Sequence, residues 1–204
     1  EKQLTGWEIF DLAVKHLRIV YIWGPPGIAK TYHAIDLLSV HLKKHSLAGE
    51  PTVTTLNEDI VVQEIKGHYL PTEGGGMKFH YGPATMALKE GALIVNELPR
   101  ASGAVLDFFL EIMDGEHVAH ISMPDNSTII PHEHFKMVVT ANEPETSLDP
   151  ALVDRLQVIV QVTEPHPDTV DALNKGYKGL GDIIRESYQT ASRAISVRGG
   201  FTFA

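Results

Sequence analysis

The sequence contains no cysteine. Disulfides, thiolate zinc sites and cysteine nucleophiles are therefore excluded, and a reducing compartment, the cytoplasm, is the expected setting. No apolar run approaches the roughly 18 residues that a membrane-spanning helix needs, so no membrane partner is expected. The opening "EKQLTGWEIF" lacks the basic-then-apolar order of a secretory leader. Its first residue is Glu1 and not Met, which leaves room for trimming. Basic residues are few as well: 17 Lys and Arg stand against 26 Asp and Glu, a formal charge of −9. A surface that coats duplex DNA needs net basic character or a strong basic patch, so nucleic acid is a disfavoured partner. Basic loops inside a ring could still touch it. Internal repeats and low-complexity segments are also missing.

What is present is ordinary for a globular chain. Hydrophobic residues make up 43% and charged residues 21% of 204 positions, enough for one sizeable core or a core with a small appendage. Short apolar runs alternate with helical patterns. "RIVYIW", "PTVTTLN", "ALIVNE", "FKMVVTAN" and "LQVIVQV" read as strands, and such alternation predicts an open α/β sheet. "LTGWEIFDLAVKHLR" predicts an amphipathic opening helix with Trp7, Phe10, Leu12 and Val14 among its apolar positions. The segment from Lys30 predicts a helix through Ile35, Leu38 and Leu42, and "SGAVLDFFLEIMDG" another with Val105, Phe109 and Ile112 on one face. "EGGGMKFHYG" breaks a helical region as a hairpin or loop, and "HVAHISM" and "STIIPH" flank a second turn. After "TEPHPD" short helices are interrupted by Gly176, Gly179 and Gly181. A boundary near residue 165 is expected.

The stretch "IVYIWGPPGIAKT" carries the sharpest chemical signal. A phosphate loop follows G-x-x-x-x-G-K-[ST] between a strand and a helix, so that backbone N–H groups and a helix N-terminus face the phosphates. Gly24, Pro25, Pro26, Gly27, Ile28, Ala29, Lys30 and Thr31 match it at every position but Ala29. Lys30 is expected to reach the β- and γ-phosphates and the Thr31 hydroxyl to ligate Mg²⁺. Ala29, at the start of the helix, is expected at negative φ, where alanine costs no strain. The rival reading is a tight strand-to-helix turn.

"ALIVNELPR" supplies an apolar strand ending in polar groups. Glu97 is the candidate general base for an attacking water. Asn96 occupies the position of a metal-organising carboxylate: it keeps the hydrogen bonds and loses the charge, which questions metal affinity and turnover. Alternatively, both residues cap the next helix.

Taken in order, "GPPGIAKT", "ALIVNELPRAS", "VVTAN" and "LDPALVDRL" resemble the AAA+ ATPases, and closely their MoxR-like branch, over roughly residues 10 to 165. The resemblance implies a P-loop NTPase fold: a three-layer α/β core with a parallel sheet over residues 1–165, carrying a helix-2 hairpin insert at about 68–82, and a small, abbreviated helical lid over 166–204. It implies ATP and Mg²⁺ as cofactors, Asn142 as the polar sensor of the attacking water, and Arg155 as an arginine finger acting on a neighbouring subunit. Arg198 in "SVRGG" matches a lid residue that reaches the γ-phosphate. Each has a plainer alternative: a turn residue for Asn142, a surface ion pair with Asp154 or Glu145 for Arg155, a solvated tail residue for Arg198. Arg100 follows the second motif as in the family, with no settled role.

The resemblance further implies a homo-oligomeric ring, expected to be hexameric, that hydrolyses ATP to remodel a protein substrate or adaptor. Two other readings stay open: a nucleotide-gated assembly module that hydrolyses poorly because of Asn96, and a nucleic-acid translocase or loader. His132 and His134 in "PHEHF" read as surface histidines, since a metal needs three or four convergent ligands. Met77, Phe79 and Tyr81 of the insert either meet substrate at a pore or pack on their own domain.

Overall fold

The structure is a computed structural model, and it describes residues 3–47, 49–115, 118–124 and 126–190. Helix α1 (Gly6–His16) opens on a capping box, in which the Thr5 hydroxyl accepts from the Glu8 N–H and the Glu8 carboxylate from the Thr5 N–H. Trp7, Phe10, Ala13 and Val14 form its buried stripe. Leu12, expected among the apolar positions, is instead 47% exposed. At 3.6 residues per turn it stands about 200° from Phe10 and Val14, on the solvent side.

The chain continues through β1 (Ile19–Trp23), α2 (Lys30–Lys44), β2 (Thr52–Thr55), α3 (Val62–Lys66), the hairpin β3 (Gly67–Pro71) and β4 (Met77–Tyr81), α4 (Pro83–Glu90) and β5 (Ala92–Asn96). Then come α5 (Gly103–Met113), β6 (Ile121–Ser122), β7 (Thr128–Ile129), β8 (Lys136–Ala141), α6 (Pro150–Val153), β9 (Val158–Gln161), α7 (Pro167–Gly176) and α8 (Leu180–Gln189). Five strands pair in the order β2-β5-β8-β1-β9, all parallel.

The continuous apolar strands become intelligible in this sheet, because both of its faces are covered. Ile19, Tyr21, Leu93, Val95, Met137 and Val139 point to one face and pack with α4 and α5. Val20, Ile22, Ile94 and Val138 point to the other and pack with α1 and α2. The period of two along each strand thus builds a three-layer core.

The β3–β4 hairpin is antiparallel, pairing Gly67 with Tyr81, within one residue of the expected insert. A Cβ on Gly67 would collide with the His80 carbonyl, so a side chain is excluded where the hairpin closes. Beyond the sheet, α7 and α8 pack on each other around Leu173 and Ile184. Gly181 does not interrupt a helix there, as the pattern suggested. It lies inside α8, where a Cβ would strike the Val170 carbonyl, so its bareness lets the two helices approach. The break is at Gly179, with φ +81.

Candidate active site

Chain order along the sheet reverses at β1, which pairs with β8 on one side and with β9 on the other. Open α/β sheets bind ligands at such a switch point, beyond the carboxyl ends of the strands. Three of these ends deliver the expected site residues: β1 leads into Gly24–Ala29, β5 ends at Asn96 before Glu97, and β8 is followed by Asn142. Beside them lies a cavity of about 760 Å³ that Lys30, Thr31, Asn96, Glu97 and Asn142 help to line. That size suits a nucleotide-scale ligand.

The loop makes its turn with backbone that L-residues avoid. A Cβ on Gly24 would collide with the Val162 carbonyl, and Gly27 has φ +79. Ala29 does not take the expected negative φ: it sits at φ 73, ψ 22, in the left-handed region. The chain must swing from strand end to helix start within a few residues, and α2 begins only at Lys30. The left-handed step therefore falls on Ala29, at a cost of about 1–2 kcal/mol for a residue with a Cβ. Strain of this kind persists where the surroundings over-determine it, and it concentrates at functional sites. No side chain caps the N-terminus of this 15-residue helix, the end at which the helix dipole favours an anion.

Lys30 is only 7% exposed. Its ammonium donates to the Gly24 and Pro25 carbonyls at 2.8 Å each and to Asn142 Oδ1 at 3.2 Å. The loop's own oxygens hold the charge where phosphate oxygens would otherwise take it. The Thr31 hydroxyl donates to Asn96 Oδ1 at 2.9 Å, and the Thr140 hydroxyl donates to the same oxygen at 2.6 Å. Asn96 Nδ2 donates to Thr55 Oγ1 at 3.1 Å. With its proton given to Asn96, the Thr31 oxygen keeps lone pairs for a cation. Asn96 thus supplies the acceptor that this arrangement needs, without the negative charge.

Glu97 has φ +61, a left-handed conformation that aims its side chain back over the strand ends. Glu97 Oε1 accepts from Asn142 Nδ2 at 2.8 Å. Its Oε2 is buried without a hydrogen bond, and Arg100 Nε lies 3.6 Å from it. Arg100 also approaches Glu143, at 3.7 Å. The Tyr21 hydroxyl donates to the Glu143 carbonyl at 2.8 Å. Burial, then the nearby Glu143, Glu145 and Glu97, pushes that phenol far above its ordinary pKa. Neither Asn96 nor Glu97 caps a helix, because Glu97 precedes the 3₁₀ turn Leu98–Arg100 with no side-chain cap bond. Nor is Asn142 a mere turn residue, since its amide bridges Lys30 and Glu97.

Arg155 lies apart from these groups. Its Nε donates to Asp114 Oδ1 at 2.6 Å and its Nη1 to the Ala151 carbonyl at 2.8 Å. The ion pair weighed as its alternative exists, but with Asp114 in place of Asp154 or Glu145. Arg198 falls outside the described residues. His132 and His134 stay near the surface, with the His134 N–H donated to His132 Nδ1. In the insert, Met77 and Tyr81 are exposed, at 63% and 39%, while Phe79 packs against the core.

Thr140 and Thr55 were not foreseen. A signal existed for Thr140 in "VVTAN", but its meaning depends on strand register, which sets Asn96 beside Thr140.

Comparison with known proteins gives a matching family profile and many solved structures of similar fold. A profile described as "AAA domain (dynein-related subfamily)" matches residues 19–156. A crystal structure from Cytophaga hutchinsonii, described only as a candidate ATPase, superposes with a TM-score of 0.58 at 17% identity. The match covers 84% of this chain and 49% of that one, so the chain spans about half the length of its structural neighbour. No curated protein matches the sequence.

Proposed function

This chain belongs to the AAA domain family, dynein-related subfamily, and from that premise we propose that it is an Mg²⁺-dependent ATPase of MoxR-like type that works as a ring. The observation that carries the reading is the Lys30–Asn142–Glu97 chain of hydrogen bonds at the switch point. It joins the cation for the phosphates, the sensor and the base in one network, and the second carboxylate oxygen of Glu97, 3.6 Å from Arg100 Nε, makes no hydrogen bond.

In this reading Gly24 to Thr31 hold the triphosphate, and Lys30 leaves the loop carbonyls for the β- and γ-phosphates. Mg²⁺ would be held by Thr31, with Asn96 orienting the hydroxyl; bound there, the ion neutralises phosphate charge. Glu97 takes the proton of the attacking water, and Asn142 fixes the carboxylate that does so. Arg155 exchanges Asp114 for the phosphates of a neighbouring protomer. Arg198 acts from the lid, taken as 166–204 beside a core of 1–165. Homo-oligomerisation into a hexameric ring and remodelling of a protein partner complete the proposal, with the β3–β4 hairpin as the substrate-facing element.

Steady-state ATP hydrolysis with Mg²⁺, measured beside Glu97→Gln and with ATP binding in parallel, tests this. Turnover abolished by Glu97→Gln supports the motor. Tight binding without turnover in either protein favours the nucleotide-gated module that Asn96 suggests. No binding overturns both.

A further inference from the structure

The ATPase reading uses neither His33 nor His166. Among the described residues, one group of side chains brings three metal-type ligand atoms together: Asp11, His33 and His166, one atom each, all within 4.8 Å of one another. They come from the middle of α1, the first turn of α2 and the residue before α7. Side-chain exposure is 13% for His33 and 10% for His166. His33 Nε2 lies 2.6 Å from Asp11 Oδ1. The two imidazoles stack at 3.8 Å between centroids, and Trp7 meets both edge-on.

We infer that Asp11, His33 and His166 form a site for a divalent transition metal, with Zn²⁺ the ion their chemistry suits, pinning α1, α2 and the root of α7 together. Two imidazoles and a carboxylate are a borderline-soft donor set, matched to Zn²⁺ and its neighbours and not to oxygen-seeking Mg²⁺ or Ca²⁺. Ligand atoms on a tetrahedral Zn²⁺ stand roughly 3.3 Å apart, from bonds of about 2.0–2.1 Å. The His33–Asp11 pair, at 2.6 Å, is closer than that and the other spacings lie within 4.8 Å, so an ion would part the pair and fan the stacked rings apart. The Asp168 N–H donates to His166 Nδ1 at 3.2 Å and fixes the orientation of that ring. His33 and His166 line the same cavity of about 760 Å³ as Lys30, Thr31 and Asn96, so the ion would sit within that cavity, on ligands other than the Thr31–Asn96 pair.

The test uses the full chain, freed of metal by EDTA and without nucleotide. Co²⁺ titration is followed by visible absorption and Trp fluorescence, with Zn²⁺ as competitor. One equivalent is expected to bind and to be displaced by Zn²⁺. Asp11→Asn, a near-isosteric change at a half-exposed position, is expected to weaken binding roughly tenfold or more, as is His33→Gln. Zn²⁺ should raise the Tm of the parent more than that of Asp11→Asn at the same metal concentration. His45→Gln, in the separate histidine cluster with His41 and His134, should leave binding unchanged. Absence of Co²⁺ uptake by the folded chain overturns the inference, as does binding lost in His45→Gln and kept in Asp11→Asn. Because no nucleotide is present, neither result depends on whether the chain hydrolyses ATP.

Discussion

Asn142 donates its side-chain amide to Glu97 Oε1 across 2.8 Å, from the end of β8 to the end of β5. Those strands are hydrogen-bonded neighbours, so the separation of the two groups is set by the rigid spacing of the sheet and not by a loop. The bond leaves Glu97 one oxygen for water. Asn142→Ala should therefore lower turnover on the order of 10²-fold, the scale of a misplaced catalytic group, while ATP binding changes little. Paired kcat and binding measurements check this; equal loss in both would make Asn142 a binding residue.

Asn96 accepts two hydroxyls at one oxygen, from Thr31 and Thr140. Asn96→Asp keeps both bonds and adds a negative charge beside the hydroxyl meant for Mg²⁺. The Mg²⁺ concentration giving half-maximal turnover should fall about tenfold, a modest share of what such a charge supplies at short range. An Mg²⁺ titration of ATPase rate reads this directly. Unchanged Mg²⁺ dependence would place the metal elsewhere.

Ala29 sits at φ 73. Ala29→Gly removes about 1–2 kcal/mol of left-handed strain and returns about 0.4–1 kcal/mol through a floppier unfolded chain. Net stabilisation near 1 kcal/mol should appear as a Tm rise of roughly 2–4 °C in a domain of this size. Ala29→Val should lower the Tm, because a branched Cβ is worse still in that conformation. Thermal unfolding of both variants decides the sign.

These contrasts mark where the sequence could be read and where it could not. The phosphate loop, Glu97 and Asn142 were legible because each follows an apolar strand directly, so local order already places it at a strand end. The backbone of Ala29 was not, since the turn from the strand end into α2, and not helix propensity, sets its φ. Thr140 and Thr55 needed the register of β8 and β2 against β5. Asp11, His33 and His166 meet only through tertiary packing, and no spacing in the sequence announces them. For Arg155 the motif offered a role, but its partner Asp114 is 41 residues away in sequence.

Arg155 yields the most discriminating prediction. Within one protomer it is paired with Asp114 at 2.6 Å and does not line the cavity that Lys30 and Glu97 line, so any catalytic role is expected on a neighbour. Arg155→Ala alone should cost about 10³-fold or more in turnover, as arginine fingers do, and Glu97→Gln alone should be inactive. Mixed in equal amounts, the two dead proteins should regain activity. A composite site is intact wherever an Arg155→Ala protomer, with its own Glu97, borrows Arg155 from a Glu97→Gln neighbour. Random assembly into a closed ring makes about a quarter of the sites intact. Recovery near that fraction, rising with protein concentration as rings form, would establish action between subunits. A mixture as dead as its components, at concentrations where light scattering shows assembled rings, would confine Arg155 to its ion pair with Asp114.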